Sequence, residues 1–522
     1  MQWIALRNNL FPLLYGSGSE SFLFKAISTS LTSTNTTNTQ FTLGVATKNL
    51  NVNLTEATII RIDEDGMVLW GRTINMQINV YSTSILEMKE DNSEIKILMQ
   101  ATSTKSNNMY VTYDLSGNLI LALRYGSSSM NVGWNPKTMT TFTDDSVVIA
   151  YEASQTTNAV YYNSSSGVDI GIFRANSTNI IWHIVIDYQA LTNSPVSVGK
   201  DTSFLYVTGQ QTSGILLIKL NQTSGLVSGA IPKSTFIPME TYTNLQLRID
   251  TTNSLGWVWA LLTTDSSIGW FKFSLTDLST SGATKVSGVA IIYYSFLFSG
   301  LNQMNYMIET SSSQFFIFIN STSSTYKELN SVRPLNNGKM IWYGNNIFYA
   351  GDMLKGQSSS YNQTQVAIMK SSQQLDFLTY SCYQPSTSSN FTSKSYALNT
   401  PSGLNANGAT VSTTLSIINI SSVTGFNITN LSTIKSFYPN PESQVYIDIT
   451  TFKTWQMAEP IFSNLPTDKV YRLMSTTPDD GYTLNFTQCQ GIVPQITVQT
   501  NLSVTLPFWI DFSKFLQLHV FQ

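Results

Sequence analysis

One unit, repeated along most of the chain, constrains this sequence more than any other feature. It consists of an apolar strand, a polar loop, a second apolar strand, a turn of two to four residues, and a third apolar strand. The first copy spans 41–47, 58–63 and 67–74, with Glu64-Asp65-Gly66 as the turn. The second spans 95–101, 110–114 and 118–125 around Leu115-Ser116-Gly117. Further copies follow at 147–186, 204–231, 256–286, 306–332 and 347–380. The middle strands centre near Ile62, Tyr113, Phe173, Lys219, Phe273, Ile319 and Met369, at intervals of 46 to 60 residues. Another strand precedes the triplet, at 22–27 in the first copy and 244–249 in the fifth. Four antiparallel strands every 40–50 or so residues is the pattern of a propeller blade. One such sheet cannot cover both its faces, and radial stacking buries each against a neighbour. The expectation is an all-β chain with a seven-bladed β-propeller over 1–383. The sixth blade is its weakest member, because 326–332 is short and polar.

Composition agrees and narrows the class. Val, Ile, Thr, Tyr, Phe and Trp dominate short apolar runs, and no i, i+3, i+4, i+7 stripe persists for three turns. Hydrophobic residues are 42% and aromatics 12%, a core-forming mixture rather than a disordered one. Charged residues are only 11%, with a formal net charge of −3. That balance excludes a basic nucleic-acid binder, which needs a cationic excess to displace counterions, and a coiled coil.

The piece Ile60-Arg61-Ile62-Asp63-Glu64-Asp65-Gly66-Met67-Val68-Leu69-Trp70 resembles the quinoprotein-type (PQQ-like) propeller repeat, whose outer strand opens with a Gly turn and a Trp. Ile180-Ile181-Trp182 repeats the Trp, whereas Leu119-Ile120-Leu121 lacks it. The resemblance covers about 15–383 and implies fold. Such repeats occur in cofactor-dependent dehydrogenases, assembly scaffolds and surface proteins, and nothing in the sequence matches a quinone- or calcium-binding site.

Past Tyr383 the punctuation changes. Residues 384–437 are Ser, Thr and Asn rich and read as a connection with some strands; 384–410 reads as a linker or long loop. Strand-like runs resume at 412–420, 444–450, 471–474, 482–487 and 496–505, and they suggest a cadherin- or Ig-like β-sandwich over 438–522, which can be the start of a longer C-terminal region. Leu506-Pro507-Phe508-Trp509-Ile510-Asp511-Phe512, followed by Phe515-Leu516-Gln517-Leu518, resembles the dystroglycan-type cadherin-like domain. Together the two resemblances point to large surface proteins of ciliates and similar protists.

Several features bear on compartment. Met1 to Gly16 lacks an uninterrupted apolar segment of signal-peptide kind, so the numbering is expected to start inside a longer precursor. No stretch reaches 18 apolar residues, and 289–301 reads as a strand. Sequons stand at Asn35, Asn53, Asn163, Asn176, Asn221, Asn320, Asn362, Asn390, Asn419, Asn427, Asn430, Asn485 and Asn501. Composition alone gives nearly that many. The stronger argument is a surface poor in Lys and Glu and rich in Ser, Thr and Asn, which suits an extracellular glycoprotein. Asn176, Asn362 and Asn427 are the expected glycan carriers. Cys382 and Cys489 are the only cysteines. They are expected to form a disulfide that fixes the propeller to the C-terminal domain, two separate thiols being the alternative.

Motifs for chemistry are weak. His183 and His519 read as structural strand residues, and no zinc spacing, nucleophile elbow or phosphate loop is present. Asp63-Glu64-Asp65 and Asp479-Asp480 are each followed by Gly and read as hairpin turns before calcium sites, and Asp144-Asp145 reads likewise as a turn. The expectation is a cell-surface or extracellular structural glycoprotein, not an enzyme and without a cofactor. It would assemble or adhere through β surfaces, as a filament subunit, with copies of itself or other surface proteins as partners and no membrane span in these residues. The alternative is a propeller-based module that binds a glycan or peptide. A cluster of buried acids at the propeller axis would instead favour hydrolase or lyase chemistry.

Overall fold

The structure is a computed structural model. It describes the strands named below and residues 29, 66, 91, 93, 115–118, 142–146, 176–179, 201–203, 222–226, 251–254, 263, 266 and 275–279. After β1 (Leu13–Gly16), the described strands fall into consecutive antiparallel sets. The first set is β2 (Glu20–Ser28), β3 (Gln40–Asn49), β4 (Leu54–Asp63) and β5 (Val68–Met76). The second is β6 (Ser82–Glu90), β7 (Glu94–Thr102), β8 (Ser106–Asp114) and β9 (Leu119–Gly126). The third is β10 (Asn135–Thr141), β11 (Val147–Ser154), β12 (Val168–Ala175) and β13 (Ile180–Ala190). The fourth is β14 (Val196–Lys200), β15 (Phe204–Gln211), β16 (Gly214–Asn221) and β17 (Val227–Lys233). The fifth is β18 (Tyr242–Asp250), β19 (Leu255–Leu262), β20 (Ser267–Ser274) and β21 (Thr280–Ser287). The sixth is β22 (Tyr293–Phe298), β23 (Met304–Glu309), β24 (Gln314–Ile319) and β25 (Ser324–Leu329). The last has β26 (Asn336–Tyr343), β27 (Asn346–Lys355) and β28 (Gln363–Ser372). The first strands of successive sets are neighbours from β2 through β6, β10, β14, β18, β22 and β26, and β26 again touches β2. That closed circuit makes the fold a β-propeller, with the first strands around the axis.

The periodicity of a strand explains why such sheets must stack. Side chains alternate between faces, so each sheet feeds two cores. Ile97 and Met99 of β7 join the cluster between the first and second sets, while Leu98 joins the one between the second and third. Val148 and Ala150 of β11 face the fourth set, while Val147, Ile149 and Tyr151 face the second. Leu216 and Ile218 face the third set, while Ile215 and Leu217 face the fifth. Strands buried on both faces read as continuous apolar runs, and β19 (LGWVWALL) is buried at all but its first position.

Two features of the closure were not expected. The last set is completed by the N-terminal strand: β1 pairs with β28, Leu13 opposite Ile368 and Tyr15 opposite Val366. The outer strand of the seventh copy is therefore β1 and not 375–380, which lies outside the described residues. A ring held only by sequential hairpins would be open at one joint. Tyr15 is fully buried and its hydroxyl donates to the carbonyl of Gly66, so the last set also grips the turn of the first.

The second feature is a belt. The stretch expected as a connection adds a fifth strand to one outer edge after another. β29 (Thr392–Tyr396) pairs with β21, β30 (Gly408–Thr410) with β13, and β31 (Ser416–Asn419) with β9. β32 (Phe426–Asn430) pairs with β5, and β33 (Lys435–Ser436) with β1. The chain thus runs back around the rim and finishes on the closing strand itself. Half-buried Ile417 and Ile428 lie against the cores at the second and first joints.

Farther on, β34 (Ile447–Asp448), β35 (Val470–Met474), β38 (Phe508–Asp511) and β39 (Gln517–Val520) form one sheet in that order. β36 (Tyr482–Leu484) and β37 (Ile496–Val498) form a separate pair. β34 to β37 overlap stretches read as strands from the sequence, whereas β38 and β39 lie in the tail that carries the second resemblance. Among the described residues no helix is long and apolar enough to cross a membrane.

Candidate functional site

The rim shows what the repeat signature does. Trp70, opening β5, donates its indole N–H to Leu115 O of the next set's turn at 2.9 Å. Arg72 Nε donates to Gly117 O at 3.0 Å. Trp182 repeats the arrangement two joints on, donating to Gln222 O at 2.8 Å beside Gly225. Gly117 and Gly225 have φ of +83° and +70°, and a Cβ on either would stand 2.7 Å from the Trp ring. Only glycine gives both the left-handed turn and the room. The joint that lacks the Trp has Leu121, partly buried against Tyr110, Tyr125 and Phe173. These contacts hold the ring and leave its axis to the first strands.

The first strands are irregular where they line the axis. Pairing with the second strand shifts between Phe24 and Ala26, Ile85 and Glu87, Pro136 and Thr138, Thr243 and Gln246, and Asn336 and Lys339. Such bulges re-aim side chains and concentrate next to functional sites. Here they carry charge: Lys25 is itself the extra residue, Glu87 and Lys339 directly follow a shift, and Lys89 and Arg248 lie two residues farther along. Apolar partners alternate with them, Leu245 and Leu247 being buried beside Gln246 and Arg248.

The charged groups form one electrostatic unit. Glu87 Oε1 pairs with Lys89 Nζ at 3.1 Å. Its Oε2 accepts from Met139 N at 2.6 Å and Thr138 Oγ1 at 2.7 Å, which ties the second set to the third. Burial pushes the Glu87 carboxyl up, but the Lys89 charge and those two donors outweigh it and leave it below the usual range. Lys339 Nζ donates to Lys25 O at 3.0 Å across the closing joint. Burial lowers Lys339; Glu87 opposes that, and Arg248, Lys25 and Lys89 add to it. Arg248 is lowered by burial as well, with Glu87 opposing. Yet the Arg248 side chain is exposed, and Glu87 and Lys89 keep 26% and 31% of their side-chain surface. Water therefore reaches these groups on the first strands that ring the axis. Four cations and one carboxylate share it.

Sequence reasoning singled out none of these five residues. A charged residue in the middle of an otherwise alternating first strand is the signal that could have found them. The expected sites fare differently. Asn176 lies in the β12–β13 turn, where its Oδ1 accepts from Thr178 N and Asn179 N. Asn221 ends β16, its Oδ1 accepting from Thr223 N and Ser224 N. Asn419, Asn427 and Asn430 all lie on belt strands, the first and last exposed. Asn35, Asn53, Asn163, Asn320, Asn362, Asn390, Asn485, Asn501, Cys382 and Cys489 lie outside the described residues, as do Asp479 and Asp480. His183 is buried with Nε2 2.7 Å from the Tyr151 hydroxyl, a core residue as expected. Gly66, at φ +89°, donates to Asp63 O, so the first acidic run closes a turn; Asp144 accepts from Ser146 N in another. Among the described residues no group of three His, Cys, Asp or Glu is placed to hold a metal ion.

No family model and no curated protein matches the chain. Solved structures to which it is similar include the Dos1 propeller, at 11% identity over 69% of this chain and 95% of that one, with a TM-score of 0.40. A europium-containing methanol dehydrogenase has 9% identity over 60% and 81% of the two chains, TM-score 0.35. The polysaccharide lyase Uly1 has 7% identity over 70% and 100%, TM-score 0.41. The propeller assignment rests on the strand pairing of this chain itself.

Proposed function

We propose that the chain is the non-enzymatic, seven-bladed binding module of an extracellular or cell-surface glycoprotein, followed by a cadherin-like sandwich, and that its ligand enters at the axis. The observation that carries this reading is the set of bulged first strands around the axis, with charged side chains that water reaches. Its charge is mainly cationic, whereas glycosidase chemistry calls for a pair of carboxylates about 5–9.5 Å apart. The reading also fits the rim. Strand addition needs open edges, and the chain's own belt already occupies five of the outer edges. The test is an array of glycans and peptides probed with the full chain, alongside negative-stain grids. Saturable binding to one ligand class is the expected result. Filaments with no saturable ligand would replace this reading with the assembly one. Peptide mapping of native material is expected to find glycan on Asn176 or on the belt asparagines; unmodified peptides at every sequon would remove the extracellular setting.

A further inference from the structure

The geometry points to the axial space as an oxyanion site: Lys25, Lys89, Arg248 and Lys339 surround a carboxylate or sulfate group of an acidic glycan, with Glu87 fixing the wall. This inference rests on the binding-module reading and names the chemistry of its ligand. The first argument is charge. The whole chain holds 28 Lys and Arg among 522 residues, and four of them lie on four of the first strands that ring the axis. Glu87 offsets at most one charge, and its carboxylate is divided among Lys89, Met139 and Thr138.

The second argument is cost. Burial and mutual repulsion both disfavour the Lys339 charge. A core residue selected only for packing would be apolar, because replacing buried charge by matched apolar groups is commonly neutral or stabilising. Charge kept against that cost is charge held for a ligand. The third argument is geometry. The first bulge leaves Lys25 outside the regular ladder, the last places Lys339 directly after its shift, and the Lys339–Lys25 hydrogen bond fixes one against the other across the closing joint. Arg248 brings a planar fork suited to carboxylate and sulfate oxygens. An oxyanion among them forms charge-assisted hydrogen bonds and relieves the repulsion together.

The test is calorimetric titration of the full chain with sodium sulfate and, separately, sodium glucuronate. Ionic strength is held constant with chloride, and glucose is the neutral control. Lys339→Met and Arg248→Met remove axial charge. Lys272→Met removes a cation lying 4.2 Å over the Trp257 ring, away from the axial cluster. Saturable binding in the parent and in Lys272→Met, weakened at least tenfold in either axial variant, is the expected result. Binding of sulfate alone identifies a sulfated ligand, of glucuronate alone a uronate, and each supports the site. The thermal midpoint should rise with anion concentration in the parent and not in the axial variants, which separates binding from the general stabilisation sulfate gives. Equal affinity in all variants, or no saturable anion binding, overturns the proposal. If the array meanwhile yields a neutral ligand whose binding ignores Lys339→Met and Arg248→Met, the oxyanion site falls and the binding module stands. If neither assay saturates, both fall.

Discussion

Trp70 and Lys339 each join one four-strand set to the next, by opposite means. Trp70 lays its ring on the Gly117 turn and satisfies its only donor there, so burial and hydrogen bonding act together. Lys339 crosses the closing joint to Lys25 O while burial and three other cations work against its charge. The rim contacts are those of a ring that has to close. The axial contacts are those of a surface kept polar inside a fold that gains little stability from it. Propellers can separate the two because each sheet meets its neighbours along its length, while only its first strand meets the axis.

The comparison breaks first where a charge lies in a joint and not at the axis. Arg61 NH1 and Glu90 Oε2 are 2.6 Å apart, both side chains at 0% exposure, between the first and second sets. Thr42 Oγ1 donates to the same Glu90 oxygen and accepts from Arg61. Arg61→Met leaves a buried carboxylate without its cation and is expected to lower stability by about 4 kcal/mol. Lys339→Met at the axis should leave it unchanged or raise it. Chemical denaturation of both variants measures the contrast, and equal losses would abolish the distinction between joint and axis.

The Trp joints come next. Trp182→Ala removes a nearly buried ring and its hydrogen bond to Gln222 O, at about 3 kcal/mol. Leu121→Ala, at the joint built without Trp, is expected to lose less, about 2 kcal/mol. Gly225→Ala asks alanine to adopt φ +70° and push on the Trp182 ring, at about 2 kcal/mol. In a Trp182→Ala background the Gly225→Ala cost should fall, because the ring it strikes is gone. A double-mutant cycle reads this directly.

How much was legible follows the same division. Asp63 to Trp70 is a local word: turn, glycine and aromatic lie within eight residues, so the rim and its repeat could be read from the chain. The axial site has no local word. Lys25, Glu87, Arg248 and Lys339 lie in strands far apart in sequence, and each alone reads as an ordinary strand charge. Only ring closure brings them together. The belt escaped for another reason. An edge strand facing solvent needs no apolar face, so apart from the run around Ile417 the belt's Ser, Thr and Asn look like a linker until Ile417 and Ile428 are seen against the cores. The closing strand β1 escaped because four residues are too few to carry a period.

The smallest expected effect tests the axis by pH. Glu87 has a carboxyl below its usual pKa in the folded chain, so its contribution is fully present above the unfolded value and is lost as pH falls through the folded one. Glu87→Gln keeps an acceptor for Met139 N or Thr138 Oγ1 and removes only the charge. With a quarter of the side chain still accessible, the loss at neutral pH should stay below about 1 kcal/mol. The gap between parent and variant should then close as the pH falls through the lowered Glu87 range, because the parent acquires the uncharged side chain the variant already has. Anion binding supplies the opposite sign. Removing Glu87 takes the one carboxylate out of a cationic cluster, so Glu87→Gln should bind sulfate or glucuronate more tightly than the parent at neutral pH while being slightly less stable without ligand. A variant weaker in both respects would mean that Glu87 holds the wall in place and that the cations around it depend on that wall. A gap that stays constant down to low pH would show that the carboxyl is not ionised at the axis, and the charge balance drawn for it would be wrong.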